Sequence, residues 1–147
     1  MSRYLLDTNI CIHLQKGDAY VRQHFTLLEA GSVFISEITV AELLYGIANA
    51  PQAFRAKEHI KFDNLLRLFA DSRILPISDA IPQYAELKAH LRRLGRLQGE
   101  FDMLIGSTAL AYDLTLVTRN GRHFADMPEL GVEDWANRFD TPESETV

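Results

Sequence analysis

The sequence predicts an α/β protein in which helices cover both faces of a parallel β-sheet. Short apolar segments alternate with longer segments whose apolar residues recur every three or four positions, the pattern of strands followed by helices. The strand segments are apolar throughout, as expected of parallel strands that are buried on both faces. No repeat or long linker interrupts the 147 residues, a length that suits one domain. These observations favour a three-layer α/β/α domain.

In the first half of the chain, the first predicted strand is a short apolar segment that ends at Asp7. Two short helices follow, and Gly31 then precedes a strand of β-branched and aromatic residues. The next helix begins at Ser36 and ends before Pro51, and a long amphipathic helix completes this half. The predicted segments are strand 3–6, helices around 10–14 and 21–28, strand 32–35, and helices 36–48 and 54–70.

The second half repeats the alternation of strand and helix. Ser78 and Asp79 are typical of a helix start, and Gly95 is typical of a helix end. The predicted segments are strand 74–77, helix 78–95, helix 101–112, strand 114–117 and a weak strand 132–135. We expect residues 1–139 to form the domain and the acidic tail, 140–147, to be disordered, because the tail has almost no apolar residues.

The composition excludes several classes of protein. A net charge of −5 gives no overall attraction to nucleic acid or anionic membranes, so binding to either requires a local basic patch. Cys11 is the single cysteine, which rules out an intrachain disulfide and a cysteine-based zinc site. The N-terminal apolar run is broken at Asp7, too early for a signal peptide or a membrane span. We therefore expect a soluble cytoplasmic protein without membrane contact.

Three acidic residues lie where open parallel sheets place their ligands, beyond the carboxyl ends of the strands. Asp7 follows the first strand, Glu42 lies on the helix after the second, and Asp102 lies in the first turn of the helix before the fourth. Thr118 and Asn120 follow that fourth strand. Carboxylates brought together repel unless a cation lies between them. Oxygen donors without a cysteine favour Mg²⁺ or Mn²⁺ over zinc.

Each of these acids also has a purely structural explanation. Asp7 fits an N-cap or an Asx-turn, and Asp102 in a first helical turn favours the helix dipole. Thr39 and Glu42 have the spacing of a capping box, in which the glutamate binds only a backbone amide. The shared location of all three at one edge of the sheet is what favours a metal site.

Four ordered motifs resemble those of the PIN-domain ribonucleases, and specifically the VapC toxins of bacterial toxin–antitoxin pairs. The motifs are Leu5–Asn9, Ser36–Gly46, Phe101–Gly106 and Leu116–Asn120 with Phe124, and the match covers residues 3 to about 135. The resemblance implies a five-stranded parallel sheet in the order 3-2-1-4-5 and an endoribonuclease that depends on Mg²⁺ or Mn²⁺. It also implies a homodimer and a cognate antitoxin that binds near the active site.

The resemblance and the chemistry of phosphodiester hydrolysis together imply a role for each candidate residue. Asp7 and Asp102 would bind the metal directly or through water, and Glu42 would be a third ligand or would orient the attacking water. Thr8, Asn9 and Thr118 would hold the carboxylates in place.

One departure from the family pattern bears on the number of metal ions. Family members often carry a fourth acid at one of two positions near the closing phenylalanine, and here those positions hold Asn120 and His123. Asn120 could ligate weakly through its amide oxygen or hold a water, and Asp126 is a candidate substitute. The departure leaves open a second metal ion, and it leaves open a PIN fold that has lost catalysis and acts only as a binding module.

Basic residues offer the local compensation that an acidic nuclease needs. Arg92, Arg93 and Arg96 precede Asp102, Arg119 follows the fourth strand, and all four arginines are candidate contacts for RNA phosphates. The alternative for the first three is that they form the solvated side of a helix whose leucines are buried.

The helices predicted at 36–48 and 54–70 contain more large apolar residues than one buried face of each can hold. These residues are Leu43, Leu44, Tyr45, Ile47, Leu65, Leu66, Leu68 and Phe69. Exposed apolar surface usually marks an interface, so the surplus favours a homodimer and a groove for an antitoxin helix. The alternative is that these side chains only thicken the core of one domain.

A phospho-acceptor receiver domain is the competing fold that also surrounds Mg²⁺ with acids at the edge of a parallel sheet. It needs a lysine near a later strand, and the sequence after the fourth strand offers Arg119 and Asn120 instead.

Overall fold

The computed structural model describes residues 2–29, 31–69 and 71–136 and contains a sheet of five parallel strands. Their order is β3-β2-β1-β4-β5, which confirms the topology that the resemblance implied. The strands are β1 (Tyr4–Leu6), β2 (Val33–Ser36), β3 (Ile74–Leu75), β4 (Thr115–Val117) and β5 (Val132–Glu133). The tail expected at 140–147 lies outside the described residues.

Six α-helices connect and cover the strands. They are α1 (Thr8–Gln15), α2 (Ala19–Thr26), α3 (Glu37–Ala48), α4 (Gln52–Leu68), α5 (Ile81–Arg93) and α6 (Glu100–Ala111). The predicted helix start at Ser78 is a short 3₁₀ turn, Ser78–Ala80, that leads directly into α5. Pro82 lies in the first turn of α5, where its missing N–H leaves no intrahelical hydrogen bond unmade.

The core has two clusters, one on each face of the sheet. Leu6 packs with residues of α1 to α4, whereas its neighbour Leu5 packs with residues of α5 and α6. Successive side chains of a strand point to opposite faces, so this division follows from the three-layer arrangement. Cys11 is fully buried in the first cluster, and burial raises the pKa of its thiol, which keeps the sulfur protonated and apolar.

None of the helices in the described ranges is long and apolar enough to cross a lipid bilayer.

Candidate active site

Asp7 lies at the carboxyl end of the central strand β1 and caps helix α1. Its Oδ1 accepts a hydrogen bond of 2.8 Å from the backbone N–H of Thr8, and its Oδ2 accepts one of 2.8 Å from the Thr118 hydroxyl. The side chain is almost fully buried, with 5 % of the residue exposed. The N-cap explanation is therefore correct, but it uses only one of the two carboxylate oxygens.

Glu42 reaches the same edge of the sheet from helix α3. Its Oε1 accepts a hydrogen bond of 2.7 Å from the hydroxyl of Thr8, which directly follows Asp7 in the chain. The capping-box explanation of Glu42 is wrong, because Ser36 caps α3 by accepting a hydrogen bond of 3.0 Å from the Ile38 amide. Thr39 lies inside the helix, and its hydroxyl is 3.1 Å from that of Thr8.

Thr39 is a supporting residue that the sequence analysis named only as a candidate helix cap. It is fully buried, and its spacing of three from Glu42 places both side chains on one face of α3. A buried polar side chain on the same face as a candidate ligand is the signal that could have identified it.

The loop after β4 donates one hydrogen bond to the Asp7 carboxylate, and further hydrogen bonds hold that donor in place. Thr118 donates to Asp7 and also accepts from the backbone N–H of Asn120 at 3.0 Å and from the Asn9 amide at 3.4 Å. The Asn9 oxygen in turn accepts from the backbone N–H of Arg119 at 3.2 Å. Asn120 supports the site through its backbone, and its side chain is exposed.

Asp102 lies in the first turn of α6, where its Oδ2 is 3.0 Å from Nδ1 of His123. The side chains of Asp102 and His123 are 29 % and 46 % exposed, so this pair lies at the open side of the site. Asp126, the other candidate for the missing acid, instead forms an ion pair of 3.0 Å with Arg96.

The charges of Glu42 and Asp102 both act on the Asp7 carboxylate. Burial raises the pKa of Asp7, the hydrogen bonds from Thr118 and Thr8 lower it, and the negative charges of Asp102 and Glu42 raise it further. Asp7 therefore lies within electrostatic reach of both acids, although neither is its hydrogen-bond partner. A divalent cation would relieve this repulsion.

The donor set matches a hard divalent cation in chemistry, since it consists of carboxylate oxygens and Cys11 is buried away from them as an apolar thiol. The acids do not form a ready-made cage: in the ranges 2–29, 31–69 and 71–136, no three His, Cys, Asp or Glu side chains are grouped closely enough to hold a metal. A preformed cage is not required, because Mg²⁺ usually retains several waters and is held by one or two carboxylates together with substrate phosphates.

The arginines predicted to contact RNA differ in how they are engaged. Arg92 and Arg93 are exposed at the end of α5, within the last helical turn. Arg96 is paired with Asp126, and Arg119 lies 3.8 Å from Asp134. Arg93 lines a surface pocket with Leu110 and Glu129, at the C-terminal end of α6 rather than beside Asp102.

A groove of about 400 Å³ runs between α1, α3 and α4 and has Glu42 among its lining residues. Its apolar wall includes Ile12, Leu43, Phe54 and Phe62, and Lys16 and Lys61 also line it. The groove thus connects Glu42 with an apolar surface whose charged lining also includes Lys16 and the ion pair of Lys61 with Glu58.

Comparisons with known proteins agree with this geometry. The family model of the PIN domain matches residues 4–130. The chain is 33 % identical over 135 residues to "Ribonuclease VapC2" of Rickettsia felis, covering 90 % of this chain and 97 % of the relative. It is also 33 % identical over 141 residues to "tRNA(fMet)-specific endonuclease VapC" of Shigella flexneri, covering 92 % of this chain and 100 % of the relative.

Solved structures show the same likeness. The chain superposes on VapBC2 from Rickettsia felis, solved with a promoter DNA fragment, with a TM-score of 0.77, 33 % identity, and 90 % and 98 % of the two chains covered. It superposes on DNA-bound VapBC from Salmonella typhimurium with a TM-score of 0.82, 28 % identity, and 92 % and 99 % covered. The chain belongs to the PIN-domain family, and within that family to the VapC ribonucleases. The receiver-domain alternative is thereby excluded.

Proposed function

We propose that the protein is a Mg²⁺- or Mn²⁺-dependent endoribonuclease and the toxin of a toxin–antitoxin pair, acting in the cytoplasm. The observation that carries the proposal is the burial of Asp7 at the end of the central strand, within reach of the charges of Glu42 and Asp102. This is where a parallel sheet of this topology binds its ligand.

The side chains of the site divide into two groups by what they would do. Asp7 and Asp102 would hold a divalent cation, and Glu42 would be a third ligand or would orient the attacking water. When bound, the cation supplies charge neutralisation at the phosphate and activates water. Thr8 and Thr118 keep the Glu42 and Asp7 carboxylates in place through the hydrogen bonds described above.

The RNA backbone would approach from the exposed side of Asp102, and Arg92 and Arg93, in the last turn of α5, remain candidates for contacts with its phosphates. Water adds to the phosphorus, the bond from phosphorus to the 3′ oxygen breaks, and that oxygen takes a proton. The products carry a 5′-phosphate and a 3′-hydroxyl.

The partner would be a cognate antitoxin that binds the groove between α1, α3 and α4. Two further structural relatives support this: a member of the VapBC family of toxin–antitoxin systems from Mycobacterium tuberculosis, with a TM-score of 0.67 and 26 % identity, and a toxin–antitoxin complex from Klebsiella pneumoniae, with a TM-score of 0.64 and 30 % identity. An amphipathic helix fits an apolar groove of this kind. A basic side chain of the antitoxin, directed toward Glu42, Asp7 and Asp102, would supply the positive charge that the metal otherwise provides.

Cleavage of RNA by the purified protein tests the catalytic proposal. We expect cleavage in Mg²⁺ or Mn²⁺, none in EDTA, and recovery when excess metal is restored. Asp7→Asn should lower the rate by about a hundredfold or more, as loss of a central electrostatic element does. Asp63→Asn, which removes an exposed carboxylate from α4, is the matched control and should cleave at the wild-type rate.

Two results would count against this proposal. Wild-type cleavage by Asp7→Asn would mean that the site is wrong. RNA binding by the wild type without cleavage in any divalent metal would favour the binding module, whose sequence basis is Asn120 and His123 at the positions of the fourth acid.

A further inference from the structure

The loop after β4 contacts two of the candidate ligands at once. Thr118, at the start of the loop, donates a hydrogen bond to Asp7, and His123, five residues later, contacts Asp102. The two carboxylates belong to different elements, the end of β1 and the first turn of α6. This one segment therefore sets where Asp102 lies relative to Asp7.

The backbone that carries His123 is firmly held. His123 lies in a 3₁₀ turn, Gly121–His123, in which its backbone N–H donates to the Asn120 carbonyl at 2.9 Å. The next residue, Phe124, is 1 % exposed and packs in the core cluster of α5 and α6.

Gly106 on α6 shows how closely this loop approaches the helix that carries Asp102. A Cβ at position 106 would lie 2.5 Å from the sulfur of Met127 and 3.6 Å from the ring of Phe124. Gly106 is four residues after Asp102, so it lies one turn further along α6. The contact between His123 and Asp102 is thus built on a packed contact between the loop and the helix.

We propose that His123 is a positioning residue, whose ring holds the Asp102 carboxylate in the orientation that binds the metal. The inference rests on the proposed function, since it concerns the ligand Asp102. Among the described residues, the His123 ring is the hydrogen-bond partner of Oδ2, and a cation would bind through Oδ1. In this role the ring would donate from Nδ1, because a carboxylate only accepts hydrogen bonds.

Two physical reasons make such a restraint necessary at this position. Asp102 is partly exposed, so its side chain has several rotamers open to it without a partner. It also repels Asp7 by charge, which favours rotamers that turn away from the site. A hydrogen bond from a fixed loop opposes both effects, and partners of this kind typically change metal affinity about 10- to 100-fold.

Binding of Mn²⁺ to the protein without RNA, followed by calorimetry and by the electron paramagnetic resonance of free Mn²⁺, tests this role. We expect His123→Ala to weaken Mn²⁺ binding by about 10- to 100-fold. His123→Asn should restore most of the affinity, because the asparagine amide nitrogen is as many bonds from Cβ as Nδ1 and can donate to the same oxygen. His59→Ala, on the exposed side of α4, is the matched control and should bind like the wild type.

The outcomes separate this inference from the proposal on which it rests. Equal affinity in the wild type and His123→Ala, or equal weakening in the alanine and asparagine variants, would overturn the role of His123. An absence of Mn²⁺ and Mg²⁺ binding in the wild type would overturn the metal site itself and the inference with it. Thermal unfolding of each variant shows whether the fold is retained, and a loss of stability with unchanged affinity would also count against the positioning role.

Discussion

At the scale of single residues, Thr118 forms hydrogen bonds through its hydroxyl with three other residues of the site. Its hydroxyl donates to Asp7 and accepts from the Asn120 backbone and the Asn9 side chain. It is 1 % exposed, so none of these hydrogen bonds can be replaced by bulk water without opening the site. Thr118 therefore serves both the stability of the sheet edge and the placement of Asp7.

Thr118→Val tests this double role. Valine has nearly the shape of threonine but no hydroxyl, so Asp7 loses a buried donor and Asn120 loses an acceptor. We expect a loss of about 1–3 kcal/mol in the free energy of unfolding in urea, the usual cost of leaving buried polar groups unpaired. Thr118→Ser keeps the hydroxyl and should lose less, so equal stability of the valine and serine variants would contradict the role given to the hydroxyl.

The sequence indicated which residue types belong to the site but not how they are paired. The sequence predicts Asp7, Glu42 and Asp102 as candidate ligands, because the strand end and the helices that carry them fall at one edge of a parallel sheet. The capping spacing of Thr39 and Glu42 was misleading, since the true cap, Ser36, lies three residues earlier. The pairs His123–Asp102 and Arg96–Asp126 join residues 21 and 30 positions apart, and local pattern carries no information about contacts between distant segments.

At the scale of secondary-structure elements, the side chain of Asp18 caps the N-terminus of helix α2. Asp18 accepts hydrogen bonds from the Tyr20 and Val21 amides at 3.0 and 3.1 Å, and its other oxygen is 3.2 Å from His13 Nδ1. Partial burial raises the pKa of Asp18, but the hydrogen bonds from Val21, His13 and Tyr20 together lower it by more, so the pKa lies below its usual value.

Asp18→Ala should therefore destabilise the protein by about 1 kcal/mol at neutral pH, the typical effect of losing an N-cap. The lowered pKa of Asp18 fixes the sign of the pH dependence: the stabilisation is present above the pKa of the unfolded chain and is lost as pH falls through the folded value. Chemical denaturation at a series of pH values measures the difference between wild type and variant, which should shrink in acid. Asp18→Asn keeps a capping oxygen and should lie between the two, and a difference that grew in acid would contradict the assignment.

The ends of the sheet show where element prediction from sequence reaches its limit. Strand β3 stops at Leu75, two residues before its predicted end, because Pro76 has no N–H for the ladder. Strand β5 stops at Glu133, whereas Trp135 beyond it is buried against Tyr4 with a ring distance of 5.2 Å. Apolar residues at an edge are buried by tertiary packing as readily as by a strand, so apolar pattern alone does not fix where a strand ends.

At the scale of the whole molecule, the surplus of apolar residues on α3 and α4 divides into core and surface. Four of the residues in question are buried: Leu43, Ile47, Leu65 and Phe69. Leu66 is half-buried and packs against the same cluster. Leu44, Tyr45 and Leu68 remain 41 %, 70 % and 42 % exposed, so thickening of the core explains only part of the set.

Exposed apolar residues of α3 and α4, including Phe54 from outside that set, lie in two places that suit two partners. Phe54 lines the groove between α1, α3 and α4, which we assign to the antitoxin. Leu44 and Tyr45 are adjacent on α3 but are not part of the groove lining, which leaves them available to a second copy of the chain. Exposed apolar side chains grouped in this way usually mark an interface.

Tyr45→Glu is accordingly expected to convert a homodimer into a monomer. The substitution places a charge in an interface that would exclude water, and burying an unpaired charge opposes association strongly. Light scattering of the eluting protein at micromolar concentration gives the mass directly.

Phe54→Glu is the matched control, with the same change of charge at another exposed aromatic residue. It should leave the dimer intact and weaken the binding of an antitoxin helix instead. A monomeric wild type would remove the homodimer, and equal dissociation by both variants would show that the groove and the dimer surface are one interface.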